Sequence, residues 1–235
     1  MLFKDLNLIP QILKALDEAG YKEPTPVQEQ SIGVILEGHD LLGTAQTGTG
    51  KTAAFAVPIL QKLQSEKPVS RDRRLRALVL SPTRELAIQT KDSFVKYGRH
   101  LNLRCAVVYG GVSQVPQTNA IRAGIDILIA TPGRLLDLMN QKLLKLQDVQ
   151  FFVLDEADHM LDMGFIHDVN KIIMKLPESR QTMLFSATMP KEIADLAASI
   201  LNEPKRVAIS PVTSTVDKVE QFIYYVEKHD KKNLL

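Results

Sequence analysis

Ala45-Gln46-Thr47-Gly48-Thr49-Gly50-Lys51-Thr52 follows the run Asp40-Leu41-Leu42-Gly43 and precedes Ala53-Ala54-Phe55-Ala56-Val57, which reads as the start of a helix. Strand, glycine loop and helix in that order describe a phosphate-binding loop. Gly48 and Gly50 let backbone N–H groups curl around an anion with no Cβ in the way. The helix opening at Lys51 or Thr52 points its positive end at the same anion. Lys51 is placed to reach β- and γ-phosphates, and the Thr52 hydroxyl to ligate Mg²⁺. The competing reading is an ordinary glycine turn, which has no use for a Gly-Lys-Thr ending. One departure from the usual pattern is Ala45, where the motif commonly has its first glycine.

Outward from this loop, apolar strands alternate with helical stretches. Strands are expected at Leu41–Gly43, Ala77–Ser81, Cys105–Tyr109, Ile125–Ala130, Phe151–Asp155, Thr182–Ser186 and Arg206–Ile209. Helices are expected at Ile9–Ala19, Val27–Leu36, Thr52–Leu63, Glu85–Tyr97, Pro116–Ala123, Gly133–Met139, Ile166–Leu176 and Lys191–Leu201. Near-continuous apolar strands of this kind imply an α/β fold, a mostly parallel central sheet with helices on both faces. Ligands of such sheets bind at the carboxyl ends of the strands, so the short motifs after each strand share a location. The charged segment Ser65–Arg76 reads as a solvated surface loop.

Several strand ends carry chemistry. Phe151-Phe152-Val153-Leu154 runs into Asp155-Glu156-Ala157-Asp158. A carboxylate at the tip of a buried strand, Asp155, suits Mg²⁺, directly or through water. Glu156 is then placed to orient or deprotonate an attacking water. A helix N-cap would explain one of these acids but not three. Ser186-Ala187-Thr188 offers hydroxyls to Asp158, or alternatively caps a helix before Pro190. Pro82-Thr83-Arg84, Gly110-Gly111 and Thr131-Pro132-Gly133-Arg134 each offer N–H groups, hydroxyls or a guanidinium near a helix start. Singly each reads as a turn or cap. Together on one sheet edge they suit nucleic-acid phosphates, without reading bases.

Composition narrows the field. Against 29 Lys+Arg stand 27 Asp+Glu, so nucleic-acid binding would have to come from a local basic face rather than overall charge. Cys105 is the one cysteine, which excludes a disulfide framework and a cysteine zinc site and fits a reducing, cytoplasmic compartment. The N-terminus has no signal-peptide pattern, and no apolar run is long enough to span a bilayer.

Taken together, Ala45–Thr52, Asp155-Glu156-Ala157-Asp158 and Ser186-Ala187-Thr188 resemble motifs I, II and III of DEAD-box ATP-dependent RNA helicases. Pro82–Ala87, Gly110-Gly111 and Thr131–Arg134 resemble that family's RNA-contacting motifs, in the family's order. Gly20–Gln28 resembles its Q motif, and Phe3 stands where the family keeps an upstream aromatic. Ala45 is the family's usual residue. A likeness around Asp162–Phe165 and Tyr224–Leu235 points to a bacterial, RhlE-like branch. The resemblance implies a RecA-like P-loop NTPase sandwich with ATP and Mg²⁺ as cofactors. It implies that Phe3, Tyr21, Thr25 and Gln28 hold the adenine end, and that Ala45, Gln46, Thr47, Gly48, Thr49, Gly50, Lys51 and Thr52 hold the phosphates. Lys51, Thr52, Asp155 and Glu156 would be catalytic, with Thr52 and Asp155 on the metal. Asp158, Ser186 and Thr188 would couple nucleotide state to movement, and Pro82, Thr83, Arg84, Gly110, Gly111, Thr131, Pro132, Gly133 and Arg134 would bind RNA. Residues 1–30 would form the N-terminal helix and Q-motif region, 31–209 the first RecA-like domain, and 210–235 a linker and the start of a second RecA-like domain. The family's arginine-rich motif of that second domain is absent from this sequence, so the chain reads as an ATP-binding lobe that does not unwind RNA alone. Two rivals stay open here: a nucleotide- or RNA-binding module without turnover, and a P-loop ATPase acting on DNA or protein.

Overall fold

The computed structural model describes residues 1–46, 48–65, 73–208, 222, 224–227 and 229–231. Its centre is a seven-stranded sheet in the order β3-β4-β2-β5-β6-β1-β7. The strands are β1 (Leu41–Thr44), β2 (Ala77–Leu80), β3 (Cys105–Val108), β4 (Ile127–Ala130), β5 (Phe151–Leu154), β6 (Gln181–Ser186) and β7 (Lys205–Ala208). Every pairing is parallel. The "mostly parallel" expectation is therefore sharpened to all-parallel among the described residues. The helices are α1 (Pro10–Glu18), α2 (Pro26–Leu36), α3 (Lys51–Ser65), α4 (Arg84–Tyr97), α5 (Val115–Arg122), α6 (Pro132–Asn140), α7 (Ala157–Asp162), α8 (Ile166–Ile173) and α9 (Lys191–Ile200).

Side chains of the central strands divide by their period of two. Ala77, Val79, Ile127, Ile129, Phe151, Val153, Met183 and Phe185 enter one core, with apolar residues of α1 to α4. Leu78, Leu80, Leu128, Ala130, Phe152, Leu154 and Leu184 enter the other, with residues of α6 to α9. Burial on both faces is why these strands read as unbroken apolar runs. Gly43 is dictated by this packing, because a Cβ there would meet the Phe185 ring at 2.5 Å.

Three differences from the sequence reading stand out. Phe3–Leu6 forms a single 3₁₀ turn, and α7 follows Glu156 directly; neither was expected. The segment Ser65–Arg76 is not simply a solvated loop. Arg76 is buried and donates to Asp126 Oδ1 at 2.9 Å, and Arg73 pairs with Asp126 Oδ2. A buried carboxylate needs such partners, so this basic cluster anchors the start of β4. Residues 66–72 of that segment lie outside the described residues, as do Thr47, Ile209, most of the expected linker Pro204–Asp217 and much of the expected strand Val219–Val226.

Candidate functional site

Register aligns the strand ends. Leu80 pairs with both Ala130 and Leu154, Val108 with Ala130, Leu154 with Leu184 and Thr44 with Ser186. The ladder continues past the strands, with Ser81 N–H donating to Ala130 O, Thr131 N–H to Val108 O, Asp155 N–H to Leu80 O and Ala45 N–H to Ser186 O. The motifs therefore leave the sheet at one edge. Strand order splits them into two groups: β5, β6 and β1 carry Asp155–Asp158, Ser186–Thr188 and the glycine loop, whereas β2, β4 and β3 carry Pro82–Arg84, Thr131–Arg134 and Gly110-Gly111.

Within the first group, a cavity of about 340 Å³ is lined by Gly48, Gly50, Lys51, Thr52, Asp155 and Glu156, with Tyr21 and Gln28. Gly48 and Gly50 hold φ of +85° and +93°, the region open to glycine. At Gly50 a Cβ would also strike the Gln28 amide. Gln28 is buried; its Oε1 accepts from Thr25 N–H at 3.0 Å and its Nε2 donates to Gly50 O at 3.0 Å. The start of α2 is thus tied to the glycine loop by one side chain. Thr25 Oγ1 is buried with no partner among the described residues.

Lys51 and Asp155 are the unusual pair. Lys51 Nζ and Asp155 Oδ1 are buried and have no hydrogen-bond partner among the described residues. The nearest carboxylate oxygen to Lys51 is Glu156 Oε1, at 3.9 Å. Burial pushes the Asp155 carboxyl up to about 6, against the pull of Lys51 and with help from Glu156 and Asp158. A buried ammonium and a buried carboxylate oxygen that make no hydrogen bond are costly unless a ligand satisfies both. A polyphosphate carrying a bound cation would satisfy both, the phosphate at Lys51 and the cation at Asp155. No cluster of three or more His, Cys, Asp or Glu side chains able to hold a metal occurs among the described residues.

Glu156 sits at the N-cap of α7 with φ 55° and ψ 53°. A non-glycine residue in this region is uncommon. His159 Nδ1 lies 3.5 Å from Glu156 Oε2. Two residues on, Asp158 Oδ2 accepts from Thr188 N–H at 2.8 Å and Thr188 Oγ1 at 2.9 Å, and Ser186 Oγ accepts from Asp158 N–H at 3.1 Å. Despite partial desolvation, these bonds hold the Asp158 carboxyl below its ordinary range. Ser186 and Thr188 are thereby brought onto Asp158.

Phe3 is buried in the core beneath the site, edge-on to Tyr21 at 6.4 Å, and Tyr21 rather than Phe3 lines the cavity. Tyr21 is held by a 3.0 Å hydroxyl contact from Tyr97 and by Lys96 over its ring. Sequence reasoning missed the α4 wall of the cavity: Leu86, Gln89, Thr90, Ser93 and Tyr97. Its signal is a polar stripe at three- and four-residue spacing on an otherwise inward face.

In the second group, Thr83 Oγ1 caps α4 by accepting from Leu86 N–H at 3.3 Å. Arg84 lies over the Tyr109 ring at 4.9 Å. Arg134 Nη2 donates to Val112 O at 3.0 Å, while its Nη1 is buried without a partner among the described residues. Gln117, also missed, accepts from Tyr109 N–H at 3.1 Å and donates to Tyr109 O at 3.1 Å, pinning the loop that carries Gly110-Gly111. Among the described residues no helix is long and apolar enough to cross a membrane.

Comparison with known proteins identifies the family. Over 231 residues the chain is 45% identical to the DEAD-box ATP-dependent RNA helicase CshA of Streptococcus pneumoniae, covering 98% of this chain and 43% of the relative. An ATP-dependent RNA helicase CshA from Limosilactobacillus reuteri is also 45% identical, over 98% of this chain and 45% of its own length. The chain thus spans less than half the length of these curated relatives. Their CshA name differs from the RhlE-like branch that the sequence suggested. A crystal structure of a DEAD box protein from Methanococcus jannaschii superposes with a TM-score of 0.82 at 39% identity, over 88% of this chain and 56% of that one. The family profile of the DEAD/DEAH box helicases matches residues 25–196, the stretch that carries the glycine loop, Asp155–Asp158 and Ser186–Thr188, and the chain belongs to that family.

Proposed function

We propose that this chain is the ATP-binding lobe of a cytoplasmic, ATP-dependent RNA helicase. The observation that carries the reading is the pair of unpartnered buried groups, Lys51 Nζ and Asp155 Oδ1, on residues lining one glycine-loop cavity. In this reading the glycine loop holds the phosphates and Lys51 neutralises them. Thr52 and Asp155 hold Mg²⁺, which when bound draws charge from the phosphate oxygens. Glu156 orients an attacking water and accepts its proton. Tyr21, Thr25 and Gln28 serve the adenine end; Gln28 reaches the base with what its amide has left after bonding Thr25 and Gly50. Phe3 supports Tyr21 from below. Asp158, Ser186 and Thr188 transmit the state of the site. Pro82, Thr83, Arg84, Gly110, Gly111, Thr131, Pro132, Gly133 and Arg134 meet the RNA backbone, so sequence preference is slight.

Residues 1–30 form the Q-motif region and 31–209 the lobe proper, with 210–235 leading to a second RecA-like domain. The greater length of the relatives supports such a partner lobe. An arginine finger supplied from outside a P-loop site is worth about 10³–10⁵ in rate. Residues 1–235 alone are therefore expected to bind adenine nucleotide, hydrolyse ATP near background and unwind nothing. The test is calorimetry with ADP and GDP, and steady-state hydrolysis with RNA or DNA, for this chain beside one extended to the relatives' length. Adenine preference and RNA-stimulated turnover in the longer chain are the expected results. Equal affinity for ADP and GDP, or equal stimulation by DNA, would overturn the reading.

A further inference from the structure

A second cavity, of about 460 Å³, lies between α6, the segment 143–147 and α8. It belongs neither to the glycine-loop site nor to the Arg84–Arg134 surface, since α6 runs away from Arg134 toward it. Its floor is apolar: Leu136, Met139, Leu144, Leu146 and Met174. Met174 is 73% exposed, a large apolar side chain that the fold leaves uncovered. Its rim is basic, with Lys145, Lys171 and Lys175 all exposed and no carboxylate residue in the lining. Lys171 shares its charge with Asp168 at 3.2 Å. Lys145 and Lys175 have no ion-pair partner among the described residues.

We propose that this groove docks an acidic segment of a partner protein, one with a bulky apolar side chain flanked by carboxylates. The volume is that of a site which encloses one or two such side chains. Two methionines give a floor that reshapes around leucine, phenylalanine or methionine alike. The rim then fixes polarity, because an acidic flank meets three ammonium groups and a basic flank is repelled. RNA is a poorer occupant. Its phosphates would satisfy the lysines but leave Leu136, Met139 and Met174 uncovered, and the lining has no aromatic ring on which a base could stack. The groove shares α6 with the Thr131–Arg134 turn, so an occupant would rest on a helix whose other end faces the proposed RNA surface.

The test is selection of phage-displayed random 12-residue peptides on the whole chain, followed by titration of synthetic copies. Met174 lies outside both cores, so Met174→Asp keeps the fold, and Lys145→Glu with Lys175→Glu changes only exposed positions. Enriched peptides are expected to combine Asp or Glu with a bulky apolar residue. They should bind at least tenfold more weakly to either variant and lose affinity as salt rises, while ADP affinity stays unchanged in both. Failure to enrich, enrichment without acidic bias, or equal binding to the variants would overturn the proposal. So would a 20-nucleotide RNA that loses more affinity than the peptides on charge reversal, since the lysines would then serve RNA. A chain that dimerises through this face, and becomes monomeric as Met174→Asp, would make the occupant a second copy and equally end it.

Discussion

The two halves of the sheet edge hold their functional groups in opposite ways. On the β5-β6-β1 half, buried Lys51 Nζ and Asp155 Oδ1 have no hydrogen-bond partner among the described residues, and Glu156 is held in a left-handed backbone conformation. On the β2-β4-β3 half, groups are tied down by the protein itself: Thr83 caps α4, Arg84 covers Tyr109, Gln117 clasps the Tyr109 backbone and Arg134 holds Val112. The first half stores an unfavourable arrangement that a charged ligand would relieve. The second presents a surface already satisfied, with Arg134 Nη1 as its exception. A site that must bind, react and release needs the former, because the ligand-free state is then not overly stable. A surface that only carries a backbone needs the latter.

The largest effect separating the halves should come from Glu156→Gln in a chain that includes a second lobe. The amide accepts no proton, so turnover should fall by about 10²–10⁴ with ADP affinity kept within a few-fold. Hydrolysis at the parent rate would remove Glu156 from the role of base. Next in size, Lys51→Ala removes a charge-assisted phosphate contact of about 1.5–3 kcal/mol. ADP affinity measured by calorimetry should drop about tenfold to a hundredfold. Intact affinity would mean that the buried ammonium serves the fold and not the ligand.

Asp155 tests the stored cost itself. Its carboxyl is pushed up to about 6 by burial. Between its ordinary range and that value the folded chain holds more proton than the unfolded one, so stability is lost as pH rises through about 4 to 6. The deficit, on the order of 3 kcal/mol, is complete at pH 8. Asp155→Asn has no charge to desolvate and should stabilise the ligand-free chain at pH 8 while abolishing the Mg²⁺-dependent part of nucleotide binding. Urea midpoints at pH 4 and pH 8 check this. A difference between variant and parent that does not change with pH would show that burial of the charge is not what Asp155 costs.

The same contrast governs what could be read beforehand. The strands were legible because burial on both faces leaves unbroken runs such as Phe151–Leu154, and the glycine loop because its chemistry demands residue types in sequence. Asp158, Ser186 and Thr188 could be paired in advance, since they follow consecutive strands of the same sheet edge. What was not legible depends on tertiary contact between side chains of unremarkable type. Gln117 and Tyr97 are ordinary helix residues until the neighbouring loop or Tyr21 arrives. The burial of Phe3 depends on the turn at Phe3–Leu6. Arg73 and Arg76 looked like solvent-facing charges because Asp126, their partner, is some fifty residues away.

Gln117 gives the smallest and most local prediction. Its side-chain amide imitates a strand neighbour, donating to Tyr109 O and accepting from Tyr109 N–H, so that β3 is extended past its last paired residue. A further, longer bond at 3.4 Å reaches Ser113 O. Between these anchors lie Gly110 and Gly111, and Gly111 has φ of +79°. Gln117→Leu keeps the helix and much of the volume but removes all three bonds. A cost of about 1 kcal/mol is expected, because Tyr109 is half-buried and its freed groups reach water only if the loop opens. Opening is the informative part. Amide hydrogen exchange should accelerate at residues 109–113 and not at residues 48–52, and ADP affinity should be unchanged. If exchange rose equally at both places, Gln117 would be a general prop of the fold, and the β2-β4-β3 half would not be separately held.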